Sequence, residues 1–248
     1  MRRMLLIAAM AFPLFAQDPA GEQPPKQAER RYAIGGRFEY LPNSLFDTGT
    51  ATSSTTKPIA DYSYTGSAHA ATFGARASFE YKITRHLSAG FEIGARKAEY
   101  EEVTTILSGT KDPNASTDKR PVTTLTQTTR STYVEIPILA RYYGIFSKGF
   151  LTRAYAVGGP AYRHIGNIRT GNDTVNADST TDYNETPATP RRTNQFGFSG
   201  GVGFRFIDEV GIRVSPEIRY TRWQGDTFAG PSYRSNSNQF EVSLGFSF

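Results

Sequence analysis

From Arg31 to the last residue, apolar and polar side chains alternate with a period of two, the spacing of a strand with one apolar and one polar face. In the first predicted strand Tyr32, Ile34, Gly36, Phe38 and Tyr40 share a face, and Ala33, Gly35, Arg37 and Glu39 share the other. A second sets Phe73, Ala75, Ala77, Phe79 and Tyr81 against Gly74, Arg76, Ser78 and Glu80. A third sets Leu87, Ala89, Phe91, Ile93 and Ala95 against Ser88, Gly90, Glu92, Gly94 and Arg96. In the fourth, Val134, Ile136, Ile138, Ala140 and Tyr142 oppose Tyr133, Glu135, Pro137, Leu139 and Arg141. The fifth, about 150–163, is less regular: Leu151, Tyr155, Val157 and Ala161 fall on the face of Arg153. The sixth runs Phe196, Phe198, Gly200, Val202, Phe204, Phe206 against a face ending in Arg205. The seventh runs Ile212, Val214, Pro216, Ile218, Tyr220 against Arg213, Ser215, Glu217 and Arg219. The eighth closes the chain with Phe240, Val242, Leu244, Phe246 and Phe248 against Glu241, Ser243, Gly245 and Ser247. Pro137, Pro160 and Pro216 fall inside three of these strands, and each demands a bulge or a local break because proline has no N–H for the ladder.

The connections alternate in length. Residues 83–86, 144–149 and 207–211 are short, whereas 42–69, 108–122, 165–192 and 224–236 are long and polar. That parity at all seven connections is the arrangement of an up-and-down barrel in an outer membrane, with short periplasmic turns and long external loops. Alternation alone also fits a soluble eight-stranded barrel with its apolar face turned inward. Three features favour the membrane. The apolar stripe is free of charge for about 9–11 residues of strand, enough for a tilted crossing. The other face carries Arg37, Arg76, Arg96, Arg141, Arg205, Arg213 and Arg219 with Glu39, Glu80, Glu92, Glu135, Glu217 and Glu241, nearly balanced, as a buried and mutually paired set should be. Tyr40, Tyr81, Tyr142, Phe206, Tyr220, Trp223 and Phe248 gather near strand ends, where interfacial girdles sit. An eight-stranded interior is just wide enough for side chains to fill, so those charges are expected to form an ion-paired lumen rather than a wide channel.

No run of ~18–20 apolar residues exists to cross a bilayer as a helix. Met1-Arg2-Arg3, the apolar stretch to Leu14 and Phe15-Ala16-Gln17 read as a signal peptide over residues 1–16. Residues 17–30 read as a flexible periplasmic lead-in, leaving 31–248 for the barrel. Loss of Arg2 and Arg3 lowers the net charge from +5 to +3, too mild to imply nucleic acid. With no cysteine in 248 residues, stability must come from the fold and not from disulfides.

The last residues, Phe240-Glu-Val-Ser-Leu-Gly-Phe-Ser-Phe248, resemble the C-terminal β-signal of outer-membrane barrels. The segments Ser131-Thr-Tyr-Val-Glu-Ile-Pro-Ile-Leu-Ala-Arg-Tyr-Tyr143 and Tyr155-Ala-Val-Gly-Gly-Pro-Ala-Tyr162 resemble the outer-membrane protein β-barrel domain family, with its relatives of the OmpA and OmpX type, over roughly residues 30–248. The resemblance implies an all-β, eight-stranded antiparallel transmembrane barrel. It also implies recognition by the barrel assembly machinery, with Phe240, Val242, Leu244, Phe246 and Phe248 as the read-out. It makes the prolines expected and identifies no activity.

A strand from Leu87 to Leu107 advances by twenty residue steps, ~65 Å, so a Thr-rich hairpin is expected to stand clear of the membrane. Exposed strand edges bind other strands, and an adhesion-like role toward an unnamed external partner follows, against a merely solvated loop. A narrow pore is the alternative. A lipid A-modifying enzyme is a third reading: His69 with Ser67, and His164, lie near the external rim, His86 lies in a short turn, and no His-Ser-acid constellation is formed. No catalytic residue, cofactor or metal is therefore assigned. Asp112, Asp118, Asp173, Asp178 and Asp182 are not at calcium-loop spacing. Lipids of the outer membrane are the expected surroundings; Lys119-Arg120 and Arg191-Arg192 lie on the predicted outer side, where they read first as solvated loop charge and otherwise as contacts to lipopolysaccharide phosphates.

Overall fold

A computed structural model describes residues 31–248 apart from 116, 188 and 209. The signal peptide and lead-in expected over residues 1–30 lie outside the described residues. Among the described residues fourteen strands are formed: β1 (Tyr32–Leu41), β2 (Phe46–Thr48), β3 (Thr50–Thr56), β4 (Ile59–Ala68), β5 (Thr72–Lys82), β6 (Leu87–Ser108), β7 (Val122–Tyr143), β8 (Ala154–Val175), β9 (Thr181–Thr186), β10 (Asn194–Phe204), β11 (Phe206–Ile207), β12 (Arg213–Trp223), β13 (Tyr233–Ser235) and β14 (Asn238–Ser247). Eight of them, β1-β5-β6-β7-β8-β10-β12-β14, pair antiparallel with their neighbours, and β14 returns to β1, so the sheet closes into a ring. The seam is held from both directions: Phe248 N–H donates to Ile34 C=O and Ile34 N–H to Phe248 C=O, each at 3.1 Å.

The apolar stripe faces out. Phe38, Phe73, Phe196, Phe198 and Val202 are exposed, with Phe73 at 75%. Soluble monomers rarely show contiguous apolar patches beyond a few hundred Å², whereas a wall of this kind suits hydrocarbon. Tyr40, Tyr81, Tyr142, Tyr220 and Phe248 point outward near strand ends. Trp223 does not, and its expected place in a girdle is corrected: it is 3% exposed, and its indole N–H donates to Gln239 Oε1 at 2.8 Å inside the ring.

The three prolines leave the pairing register unchanged. Opposite Pro137 the β6–β7 ladder skips Glu92 and Ile93 and resumes in the same register. The β7–β8 ladder skips two residues beside Pro160, and β10 gives way to β11 opposite Pro216. Each missing N–H thus costs a local gap and no slip. The one shift of register lies between Arg130 and Thr132 on β7 and faces Asn167 on β8, a non-glycine residue at φ 51°. This extra residue is a β-bulge. Before it Tyr155, Val157, Ala161, Arg163 and Ile165 face in; beyond it Thr170 does.

Two expectations about extent are corrected. The fifth strand begins at Ala154, after a 3₁₀ turn over Phe150–Arg153, and continues to Val175. Its apolar Tyr155, Val157 and Ala161 line the interior, so Leu151 and Arg153 do not share a strand face with them. The long connections are also not plain loops. The first forms β2, β3 and β4, and β4 pairs with the upper part of β6 from Ala60↔Ser108 to Ala68↔Tyr100. The third contributes β9, paired to β8, and the fourth contributes β13, paired to β2.

Candidate functional site

Inward-facing charges fill the ring because they arrive at alternate positions of seven different strands. Glu92 on β6 meets four guanidinium groups: Arg37 at 3.3 Å, Arg76 at 3.5 Å, Arg141 at 2.7 Å and Arg219 at 2.9 Å. Glu135 on β7 meets Arg76 at 2.6 Å and Arg96 at 2.7 Å, and accepts from both Nε (2.8 Å) and Nη2 (2.6 Å) of Arg163. Glu217 is bonded to Arg219, receives the Tyr155 hydroxyl at 2.8 Å and lies 3.4 Å from Arg37. Glu39 pairs with Arg76 (2.7 Å) and Arg96 (2.8 Å), and Glu241 with Arg76 (3.0 Å). Toward the short-turn end Glu80 accepts from Tyr143 at 2.9 Å and faces Arg141 at 3.5 Å and Arg205 at 3.8 Å. Arg213 is buried on the same inner side. All thirteen charged positions named from the alternation therefore point into the ring.

Sequence reasoning missed Arg163. Its guanidinium lies 3.9 Å over Trp223 and 4.8 Å over Tyr133, and it also donates to Gln239. Cation–π contact of this desolvated kind adds to the Glu135 pair. The alternation in β8 could have disclosed it had the apolar face of that one strand been read as inward.

The charged layer is enclosed on both sides. Leu139, Tyr155 and Val157 form a small apolar cluster with Tyr143 packed on it. On the long-connection side lies a larger cluster of Leu41, Leu45, Phe46, Ala98, Tyr100, Tyr133, Ile165 and Phe228. Phe46 and Phe228 are carried there by the β2–β13 pair and its flanking turn. Glu92 and Arg219 are each only 1% exposed as a result. A dry network of this kind stabilises little relative to apolar packing, but it penalises any change that removes one sign.

The only tryptophan of the chain reports on this enclosure. Trp223 emission is expected to be shielded from acrylamide in the folded protein, and Arg163→Ala is expected to raise its quenching severalfold. Quenching as efficient as in the urea-unfolded chain would refute the burial.

Beyond the network the wall continues. The inner side of the upper strands carries Glu102, Thr104, Thr129 and Thr170, all buried. Ser232 donates to Glu102 through its hydroxyl at 2.6 Å and its backbone N–H at 3.3 Å, while the Thr129 and Thr170 hydroxyls meet at 2.7 Å. At the hairpin tip Arg120 bridges Asp61 (2.7 Å) and Asp118 (2.8 Å). Hydrogen bonds from Ser54 and then Arg120 hold the Asp61 carboxyl below its usual range, and Arg120 does the same for Asp118. The histidines form no joint site: His86 Nδ1 lies 3.2 Å from Tyr143 C=O, His164 pairs with Asn194 at 2.8 Å, and Ser67 and His69 are both solvent-exposed. The β14 stripe of Phe240, Val242, Leu244, Phe246 and Phe248 faces outward along the seam.

No curated protein matches the chain. Among solved structures its fold is similar to that of the outer membrane protein OprG from Pseudomonas aeruginosa, at 10% identity, 88% of this chain, 95% of that one and a TM-score of 0.44. Neisserial surface protein A is similar at 13% identity, 88% and 96% coverage and a TM-score of 0.31. Ail, the attachment invasion locus protein of Yersinia pestis, is similar at 5% identity, 88% and 100% coverage and a TM-score of 0.28. The profile of the outer membrane protein β-barrel domain matches residues 15–248. With its antiparallel ring and apolar outer wall, the chain belongs to that family and is a protein of the bacterial outer membrane.

Proposed function

We propose that this chain is an eight-stranded transmembrane barrel whose lumen does not conduct and whose external wall of β-structure binds a partner outside the cell. One observation carries the reading. Strands β6, β7 and β8 are each 22 residues long, about 73 Å at 3.3 Å per residue, whereas a tilted crossing uses about 9–11 residues. Their upper halves join β3, β4 and β9 in one antiparallel sheet. Among the described residues β3 and β9 each pair on one side only, so the wall ends in two free edges, one of Thr and Ser and one of Thr with acidic residues. Such edges take up an extended segment through backbone hydrogen bonds. The short connections lie on the periplasmic side in this reading, and β14 supplies the stripe that the barrel assembly machinery reads. Among the described residues no histidine hydrogen-bonds a serine hydroxyl, and no enzymatic step is proposed.

The paired residues Glu99 and Arg130 mark where the wall can be removed. Replacing residues 100–129 by an Asn-Gly turn is expected to leave a heat-modifiable band in the outer-membrane fraction while abolishing the adherence that the full chain confers on cells. Unchanged adherence rejects the reading. The pore alternative is met in planar bilayers: the filled lumen is expected to give no steady single-channel current, and a steady current lost on changing Arg37 or Glu217 would replace the proposal.

A further inference from the structure

We propose that the cavity in the long-connection end of the molecule binds one neutral sugar ring. The inference rests on the reading that this end faces the cell exterior, and it gives that surface a ligand class. The cavity measures about 240 Å³, below the roughly 300 Å³ at which drug-sized pockets begin, room for a single ring. Its walls combine two kinds of surface. Tyr233, half-buried, is stacked on the buried Tyr100 at 4.2 Å between ring centroids and supplies the aromatic surface for the C–H face of a pyranose. Opposite chemistry comes from the paired hydroxyls of Thr129 and Thr170 and from Thr227.

Thr227 points to a missing partner. The residue is wholly buried and lines the cavity, yet its Oγ1 has no hydrogen-bond partner among the described residues. A buried hydroxyl is normally satisfied, and a ligand hydroxyl in the cavity would satisfy it. Glu102 is also nearly inaccessible, at 5% exposure, with the Ser232 hydroxyl and N–H both on one carboxylate oxygen, Oε2; the other oxygen, Oε1, is left to accept a charge-assisted hydrogen bond from a ligand hydroxyl. Glu102 and Arg191 line the same space with opposite charge, which favours a ligand without net charge of its own. A ring with apolar faces and a polar rim of hydroxyls meets all of these demands together. The same chemistry is displayed by the outer sugars of the cell's own lipopolysaccharide and by the terminal residue of another cell's glycan.

The test uses the full chain in detergent micelles and saturation-transfer NMR with D-glucose, D-galactose, D-mannose and N-acetyl-D-glucosamine at millimolar concentration. At least one is expected to give a saturable response. Thr227→Val and Tyr233→Ala are each expected to weaken it about tenfold, the effect of one lost hydrogen bond or stacking contact, and Tyr233→Phe to retain it. Heat-dependent gel mobility confirms that each variant is folded. No response from any of the four sugars, or a response indifferent to both weakening variants, overturns the proposal. Displacement by purified lipopolysaccharide assigns the ligand to the cell's own surface, and displacement only by soluble glycans assigns it to another cell; both support the site. Binding in micelles with none of the same labelled sugar on intact cells keeps the cavity and overturns the outward orientation.

Discussion

Glu92→Ala is expected to lower the unfolding free energy by about 3–5 kcal/mol, the cost of removing one partner from a buried ionic set. The size follows from how many guanidinium groups depend on that carboxylate. Arg37, Arg76, Arg141 and Arg219 all lie within 3.5 Å of it, and none is more than 6% exposed. Water cannot replace Glu92 for them without opening the ring. The measurement is urea unfolding in lipid or micelles, where the midpoint should fall with little change in the denaturant slope. Glu92→Gln keeps the shape and one acceptor oxygen, but loses the charge and turns an amide NH2 toward guanidinium donors, and is expected to lose less than Glu92→Ala and still be destabilised. Combining Glu92→Leu with Arg219→Met should recover much of the loss, because burying neither sign is cheaper than burying one alone. A loss below about 1 kcal/mol for Glu92→Ala, the scale of solvent-exposed pairs, would show that the lumen is wet and that the pore reading must be reopened.

The second large effect is expected at Gly35→Val, which should prevent the ring from closing. A Cβ at Gly35 would sit 1.9 Å from the Phe246 carbonyl oxygen and 2.7 Å from Ser247 Cα. Both obstacles are backbone, on the strand that pairs with Gly35 across the seam. A small barrel crowds its inner side, and glycine is the residue that lets neighbouring backbones approach there; Gly90, Gly159 and Gly201 stand in the same relation to adjacent carbonyls, at 2.1, 2.0 and 2.2 Å. Gly36, the outward neighbour, is the control. Its added Cβ meets nothing nearer than 3.7 Å, so Gly36→Ala should fold normally. Heat-modifiable mobility of Gly35→Val equal to that of the parent would contradict the close approach.

What could be read from the sequence follows the strength of alternation. Phe73–Tyr81 and Phe240–Phe248 put an uninterrupted apolar set on one face, so the strands, and the charged set opposite, can be written down from the residues. Geometry that pairs Glu135 with Arg163 cannot be, because β8 turns its apolar residues inward and reverses the expected sense. The bulge at Asn167 then hides the rest of that strand, since the parity changes midway. Strands β3 and β9 escaped for another reason: Thr50-Ala-Thr-Ser-Ser-Thr-Thr56 and Thr181-Asp-Tyr-Asn-Glu-Thr186 carry no hydrophobic period, whereas β4 does alternate, with Ala60, Tyr62, Tyr64 and Ala68 on one face, and escaped because it lies inside a polar connection. Trp223 was misplaced because a lone aromatic at a strand end is equally consistent with a membrane interface and with a buried stack. The outer cavity was not legible at all, being assembled from five separate segments.

The ion pairs have a consequence for how the molecule comes into being. Arg37 bonds to a residue 206 positions away, and Arg76 to one 165 away. Pairs between neighbouring strands, such as Glu135 with Arg163 28 positions away, form as soon as those strands meet, but nothing short of the complete circle brings Arg37 and Arg76 to their last partners. Until then these two keep part of their hydration, so the final expulsion of water from the ring and the last strand pairing coincide, slow for a topology so dominated by distant pairings.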